Sequence, residues 1–242
     1  MNIAEKTILI TGSNRGIGRA LLHEALKRGA KRVYAGTRGA LDVADERVTP
    51  IALDVTNAAE IARAADLVGA LDVLVNNAGV AVYGGFSNFD LIEQHLAVNL
   101  FGALNVTRAF LPQLRRSRGA IVNHLSLAAL ASVPVMPAYS ISKAAALNMT
   151  QALRAFLAGQ GVSVHGVILG PVDTDMNRGL DIPKATPESV AQGIFDGLQS
   201  DEEDIFPDAA SRSIADGWRA GVAKALERQF AAFAPESAVQ AA

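Results

Sequence analysis

Thr7-Ile8-Leu9-Ile10-Thr11-Gly12-Ser13-Asn14-Arg15-Gly16-Ile17-Gly18 decides the fold of this chain. A short β-rich run feeds a turn with glycines at 12, 16 and 18, and Ile17, Leu21, Leu22 and Leu26 then recur at near-helical spacing. Gly29 marks a C-terminal stop for that helix. A strand that enters a helix through such a turn lets backbone approach a pyrophosphate closely. The helix N-terminus offers free N–H groups and the positive end of its dipole. A tight strand-to-helix turn with no ligand is the plainer alternative.

Working outward, strand and helix signals alternate. Residues 32–36 and 48–53 read as the second and third strands, and Thr56 as the cap of a helix reaching Leu67. Residues 71–76 are apolar almost throughout, as befits a strand covered on both faces. A long helix over residues 91–116 is expected to end in Arg115, Arg116 and Arg118, basic residues that suit a helix C-terminus. Strands at 120–125 and 162–169 flank an alanine-rich helix at 139–158. Thr186-Pro187-Glu188 opens a further helix to Leu198. A short edge strand at 204–206, helix over 209–233 and a frayed tail of the last nine residues complete the reading. This order implies an α/β fold: a single-domain Rossmann-type, doubly wound parallel sheet over residues 1–242, with helices on both faces. The link between Arg38 and Val48 is short for a full crossover helix.

The 242 residues suit one large domain, and a hydrophobic fraction of 50% supplies a sizeable core. A net charge of -2 gives no global pull toward nucleic acid or anionic membrane. Zero cysteines exclude disulfides and thiolate metal sites. Met1 to Lys6 lacks the basic-then-apolar pattern of a signal peptide, and no stretch approaches the roughly 20 apolar residues that span a bilayer. A cytoplasmic protein without nucleic-acid or membrane partners is expected.

The chemistry sits in Tyr139-Ser140-Ile141-Ser142-Lys143, with Ser126 upstream near a strand end. Residues four apart share a helix face. If Tyr139 opens the helix, the Lys143 ammonium lies beside the phenol and is expected to lower its pKa toward a working value. Ser126 would hydrogen-bond an oxygen on which charge develops. Alone, each feature reads as an ordinary helix pair or strand-end hydroxyl; their conjunction with the glycine turn points to proton transfer.

The glycine order Thr-Gly-x-x-x-Gly-x-Gly resembles that of the short-chain dehydrogenase/reductase family. So do Asn76-Asn77-Ala78-Gly79 after the fourth strand, and Asn99, Ser126, Tyr139 and Lys143 in that order. The resemblance spans about Thr7 to Met176. It implies a nicotinamide-dependent oxidoreductase with that catalytic tetrad, in which the Asn99 backbone carbonyl holds a water next to Lys143. It also implies cofactor contacts from Gly12, Ser13, Asn14, Arg15, Gly16, Ile17, Gly18, Thr37, Asp54, Val55, Asn76, Ala78, Gly79, Tyr139 and Lys143. Residues 169–174 are similar to the family's Pro-Gly segment, with Leu169 in place of the usual proline; Pro171, Val172 and Thr174 would serve there. The family marks NAD preference with an acid at the end of the second strand. This chain has Ala35-Gly36-Thr37-Arg38 instead, and Arg38 with Arg15 would clamp a 2′-phosphate, so NADP(H) is expected over NAD(H).

Tyr83, Phe86, Leu127, Val133, Met136 and Met176, with Ser126, are expected to wall a pocket for an uncharged ketone or aldehyde. The leading expectation is an NADPH-dependent carbonyl reductase. Alternatives are an alcohol dehydrogenase, a 3-oxoacyl-thioester reductase, or an NADP(H)-sensing regulator without turnover. A homodimer through residues 91–116 and 139–158 is expected, with a homotetramer as the alternative. No metal is expected: His23, His95, His124 and His165 are scattered and read as structural. Asp201-Glu202-Glu203-Asp204 reads as a solvated loop, and Trp218, Phe230 and Phe233 as core packing before interface.

Overall fold

The computed structural model describes residues 1–86 and 88–234, so the tail expected to fray lies, beyond Ala234, outside the described residues. Seven parallel strands form one sheet in the order β3-β2-β1-β4-β5-β6-β7. They are β1 (Thr7–Thr11), β2 (Arg32–Thr37), β3 (Val48–Ala52), β4 (Val73–Asn76), β5 (Ala120–His124), β6 (Ser163–Val167) and β7 (Asp204–Ile205). From β1 the chain steps outward to β3, then returns to lay β4 on the other side of β1. That reversal leaves a crevice beyond the strands' C-terminal ends, where doubly wound sheets take their ligands. β1 and β4 pair as Ile8–Val73, Leu9–Leu74 and Ile10–Val75, so the glycine turn and residues 76–79 emerge side by side.

Pleat alternation splits the core. Ile8 and Ile10 pack on the face covered by α1 (Gly16–Lys27) and α6 (Pro187–Gln199). Leu9 packs on the face covered by α2 (Ala58–Leu67) and α4 (Ala103–Ser117). Burying such side chains on both faces contributes about 1.5–3 kcal/mol each, which is why these strands carry no exposed stripe. The short β2–β3 link contains no helix, and β3 still pairs in parallel with β2.

Several expectations need correction. Asn57, not Thr56, caps α2: its side chain accepts from the Ala59 and Glu60 amides, while the Thr56 hydroxyl bonds Asp54. The long helix is interrupted. α3 (Phe89–Leu96) passes through one wide π-helical segment, Ala97–Gly102, before α4 begins. α5 (Pro137–Ala158) starts two residues before Tyr139, because Pro137 needs no N–H partner in a first turn. The C-terminal region is three short helices, α7 (Ala209–Arg212), α8 (Ala215–Arg219) and α9 (Val222–Ala231). Trp218 packs against the core, but Phe230 and Phe233 are exposed, so core packing fails for those two. The acidic run is not simply solvated: Asp204 is buried against Arg154 and Lys224.

Candidate active site

The glycine turn is shaped by contact. Gly12 and Gly16 have positive φ, at 69° and 52°, a region open to glycine. A Cβ on Gly18 would lie 2.2 Å from the Gly12 carbonyl oxygen and 2.6 Å from Asn77 Nδ2. Asn77 holds the turn from the β4 side, its amide donating to the Thr11 and Gly12 carbonyls at 2.8 and 3.1 Å. The buried Thr11 hydroxyl in return accepts from the Asn77 and Ala78 amides at 3.0 and 2.9 Å. Arg15 stands at the α1 N-cap and its side chain bonds none of the helix's first amides, so the helix start keeps its N–H groups for a ligand.

A cleft of about 880 Å³ runs from this turn along the sheet's C-terminal edge. Gly12, Asn14, Arg15, Gly16, Ile17, Gly18, Thr37, Arg38, Asp54, Val55, Ala78, Gly79, Tyr139, Lys143, Thr174 and Met176 line it. Arg15 and Arg38 stand exposed on its rim, the first 3.4 Å from Asp175 and the second 3.9 Å from Asp54. Asp54 accepts from the Thr56 amide and hydroxyl at 2.9 and 2.7 Å, and these bonds hold its pKa below the ordinary carboxyl value of 3.8. A second hollow of about 620 Å³ between α1 and α6 shares Gly16, Thr174 and Asp175 with the cleft but contains neither Tyr139 nor Lys143.

Other expected residues lie elsewhere. Ser13 is fully buried, its hydroxyl donating to the Ile10 carbonyl at 2.5 Å. Asn76 turns into the core and donates to Thr107 and Asn123 at 3.0 and 2.8 Å; its neighbour Asn77 reaches the cleft instead. Pro171, Val172, Tyr83, Phe86, Leu127, Val133 and Met136 are not part of the cleft wall, and only Met176 of the expected apolar set is. Thr11, Asn77, His95 and His124 were missed. Thr11 and Asn77 were in view, since they belong to the two motifs that meet there.

At the inner end, Tyr139 and Lys143 project from one face of α5, with the ammonium 5.7 Å from the phenol ring centre. Lys143 Nζ donates to the His124 carbonyl at 2.7 Å. Burial lowers the Lys143 pKa from 10.5 to about 8. Burial also raises the Tyr139 phenol above 10.0, opposed by a hydrogen bond with Ser126. Burial thus outweighs the opposing Ser126 side chain, and the phenol moves up where the sequence reading expected the ammonium to move it down. Ser126 Oγ also accepts from the Ala128 amide at 3.1 Å.

Asn99 lies in the π segment, and its side chain clamps the loop after β4. Its oxygen accepts from the Val80 amide and its nitrogen donates to the Val80 carbonyl, both at 2.9 Å. The same nitrogen donates to Ser142 Oγ at 2.9 Å, and Ser142 donates to the Tyr139 carbonyl at 2.7 Å. One turn earlier, buried His95 accepts from the Val82 amide at 3.0 Å and packs edge-on to the Tyr139 ring, centres 6.3 Å apart. π segments of one turn favour such functional positions.

Residues 6–184 match the family described as short chain dehydrogenase. This chain belongs to the short-chain dehydrogenase/reductase family. It is 33% identical over 223 residues to a ketoacyl reductase of Nostoc sp., covering 83% of this chain and 78% of that protein. It is 34% identical over 206 residues to a 2-(S)-hydroxypropyl-CoM dehydrogenase of Xanthobacter autotrophicus, covering 78% and 81%. A short chain dehydrogenase of Burkholderia cenocepacia, solved in complex with NADP, superposes with a TM-score of 0.87 at 37% identity over 95% of this chain and 98% of that one. Like its family, this short-chain dehydrogenase is an oxidoreductase of nicotinamide type. Its residues fit such a cofactor: the Gly18 cradle would be filled by a Cβ, and the α1 start is uncapped by any side chain. Among the described residues no cluster of three or more His, Asp or Glu could hold a metal, and no helix is long and apolar enough to cross a membrane.

Proposed function

We propose that the cleft binds NADP(H) and that the protein reduces a ketone or aldehyde to an alcohol, reversibly. The observation that carries this is Tyr139 and Lys143 on one face of α5, lining the same cleft as the glycine turn. The bound nicotinamide supplies or takes the hydride. Tyr139 gives its proton to the carbonyl oxygen; with the phenol held protonated by burial, the reductive direction suits neutral pH. Ser126, the polar side chain that acts on the Tyr139 phenol, shares the developing charge on that oxygen. Lys143, fixed by the His124 carbonyl, holds the ribose hydroxyls and keeps positive charge beside the phenol. Asn99 orders the wall through Val80 and, by its backbone carbonyl, a water next to Lys143. Asn14, Arg15, Ile17, Thr37, Asp54, Val55, Ala78 and Gly79, which line the cleft, would hold the dinucleotide, with Thr174 toward its nicotinamide.

Preference for NADP(H) is supported by the two rim arginines, the absence of an acid at the end of β2, and the NADP complex of the Burkholderia relative. The likeness to a ketoacyl reductase makes 3-oxoacyl thioesters the second substrate class to try. The test is a panel of aldehydes, ketones and 3-oxoacyl thioesters with NADPH and NADH, run on the unaltered protein and on Tyr139→Phe. Expected are turnover favouring NADPH, and a variant that binds cofactor as before while losing nearly all turnover. Full activity in Tyr139→Phe refutes the proton role. Faster turnover with NADH refutes the arginine clamp, and tight binding without turnover on any substrate leaves the sensor.

A further inference from the structure

We propose that Asp208, from beyond the family-matched residues 6–184, positions the loop after β6 against the nicotinamide end of the cleft by holding the Gly170 amide. The inference rests on the dinucleotide reading above and adds a positioning residue to it. Asp208 stands at the start of α7 and is 3% exposed. Its Oδ1 accepts from the Ser211 amide at 3.0 Å, as one half of a capping box. Its Oδ2 accepts from the Gly170 amide at 2.9 Å and from the Ser211 hydroxyl at 2.8 Å. A cap alone needs no charge: Asn57 caps α2 and Thr186 caps α6 with neutral oxygens. A carboxylate taken out of water is costly unless its oxygens are bonded, and the backbone partner of the second oxygen lies 38 residues away along the chain.

The approach is close. A Cβ on Gly170 would lie 2.5 Å from Asp208 Oδ1 and 2.8 Å from Ala210 Cβ, so only glycine lets the start of α7 meet this loop. Leu169, just before it, lines the cleft with Tyr139 and Lys143. The Leu169 carbonyl accepts from the Leu127 amide at 2.9 Å, next to Ser126. Further on, the Pro171 carbonyl accepts from the Ala185 amide at 3.0 Å, and the Asp173 amide donates to the Ala185 carbonyl at 2.9 Å. Thr174 then re-enters the cleft wall. Asp208 is thus the middle of three anchors, and among the described residues the one acceptor for the Gly170 amide. Hydride transfer needs the nicotinamide ring set closely against the reacting carbon, so a shifted wall is felt there first. The adenosine half of the cleft is walled by other elements, at Thr37, Arg38 and Asp54 after β2 and β3.

The test compares two ligands on the purified full chain by titration calorimetry: NADP⁺ and 2′-phospho-ADP-ribose, which lacks the nicotinamide. Asp208→Asn keeps the shape and a capping oxygen for α7 but turns an amino group toward the Gly170 amide. It is expected to weaken NADP⁺ by about tenfold and leave 2′-phospho-ADP-ribose within about twofold, the effect of one buried amide left without its acceptor. Gly170→Ala, which pushes the loop off an intact carboxylate, should show the same selectivity. Ser211→Ala loosens α7 and leaves the Gly170 bond; it should lower the melting temperature and keep both affinities within about twofold. Equal loss for both ligands in Asp208→Asn, no loss for NADP⁺, or the same selective loss in Ser211→Ala overturns the inference while leaving the cleft its cofactor. Binding of neither ligand by the unaltered protein overturns the reading of the cleft and this inference with it. A second measurement needs no variant. In ¹⁵N-labelled unaltered protein the Gly170 amide resonance should shift on adding NADP⁺ and stay put with 2′-phospho-ADP-ribose, and no shift with NADP⁺ overturns the inference.

Discussion

A side chain's chemistry here is set by whether water reaches it. The Tyr139–Lys143 pair was legible from spacing alone, because residues four apart on a helix meet whatever surrounds them. The direction of the phenol's pKa was not, because burial depends on the whole sheet edge. The same holds for Asn76 and Asn77, adjacent in sequence but sent to core and cleft by the pleat. Burial also makes a prediction. Below about pH 8 Lys143 is an ammonium in both the folded and unfolded protein. Between about 8 and 10.5 the folded site releases its proton first, so stability from this group rises with pH while the cation proposed to act in the cleft disappears. The kcat/KM for the cofactor, which reports the ligand-free protein, should be level to about pH 8 and fall above it. A profile without a break between about pH 7 and 9 contradicts this role for the ammonium.

At the scale of elements, alternating strand and helix runs were readable because each crossover has its own hydrophobic period. The π segment was not. Residues 91–116 carry a helical pattern throughout, and the wide turn at Ala97–Gly102 answers a need outside the helix. A Cβ on Gly102 would come within 2.6 Å of Val55 Cγ2, and Asn99 must reach both Val80 and Ser142. α3 works with it. The Val82 N–H can only donate, so His95 Nε2 accepts and Nδ1 carries the proton given to the Leu91 carbonyl at 2.6 Å. His95→Phe keeps the ring against Tyr139 but strands the Val82 amide, a loss of about 1–3 kcal/mol. That corresponds to a melting temperature lower by about 2–12 °C, and hydrogen exchange at Val82 should quicken. An unchanged melting temperature with Val82 equally protected would show that this bond does not hold the cleft wall.

Across the whole molecule, α5 is tied to the C-terminal layer by a largely buried charge cluster. Arg154 of α5 pairs with Asp204 at 2.8 Å and with Glu227, and it also donates to the Glu203 carbonyl at 2.7 Å. Lys224 of α9, 2% exposed, meets Asp204 at 2.8 Å, Glu203 at 2.9 Å and Glu227 at 3.0 Å. Trp218 donates to Asp204 at 2.7 Å. Sequence reading made residues 201–204 a solvated run because their cationic partners lie far along the chain and only the fold brings them together. Burial alone would raise the Asp204 pKa, but the Arg154 charge and the hydrogen bonds from Lys224 and Trp218 outweigh it and hold the carboxyl below 3.8. A depressed carboxyl contributes stability above the unfolded value, lost as pH falls through the folded one. Asp204→Asn keeps the shape and leaves buried Lys224 and partly buried Arg154 each short of a partner, at a cost of about 3–5 kcal/mol. Calorimetry at neutral pH should show a melting temperature lower by about 6–20 °C, with the gap to the unaltered protein closing below about pH 4 as Asp204 gains its proton. A shift under about 1 °C at neutral pH would mean that α5 is held by its apolar contacts alone, and that the ion cluster adds nothing to the platform carrying Tyr139 and Lys143.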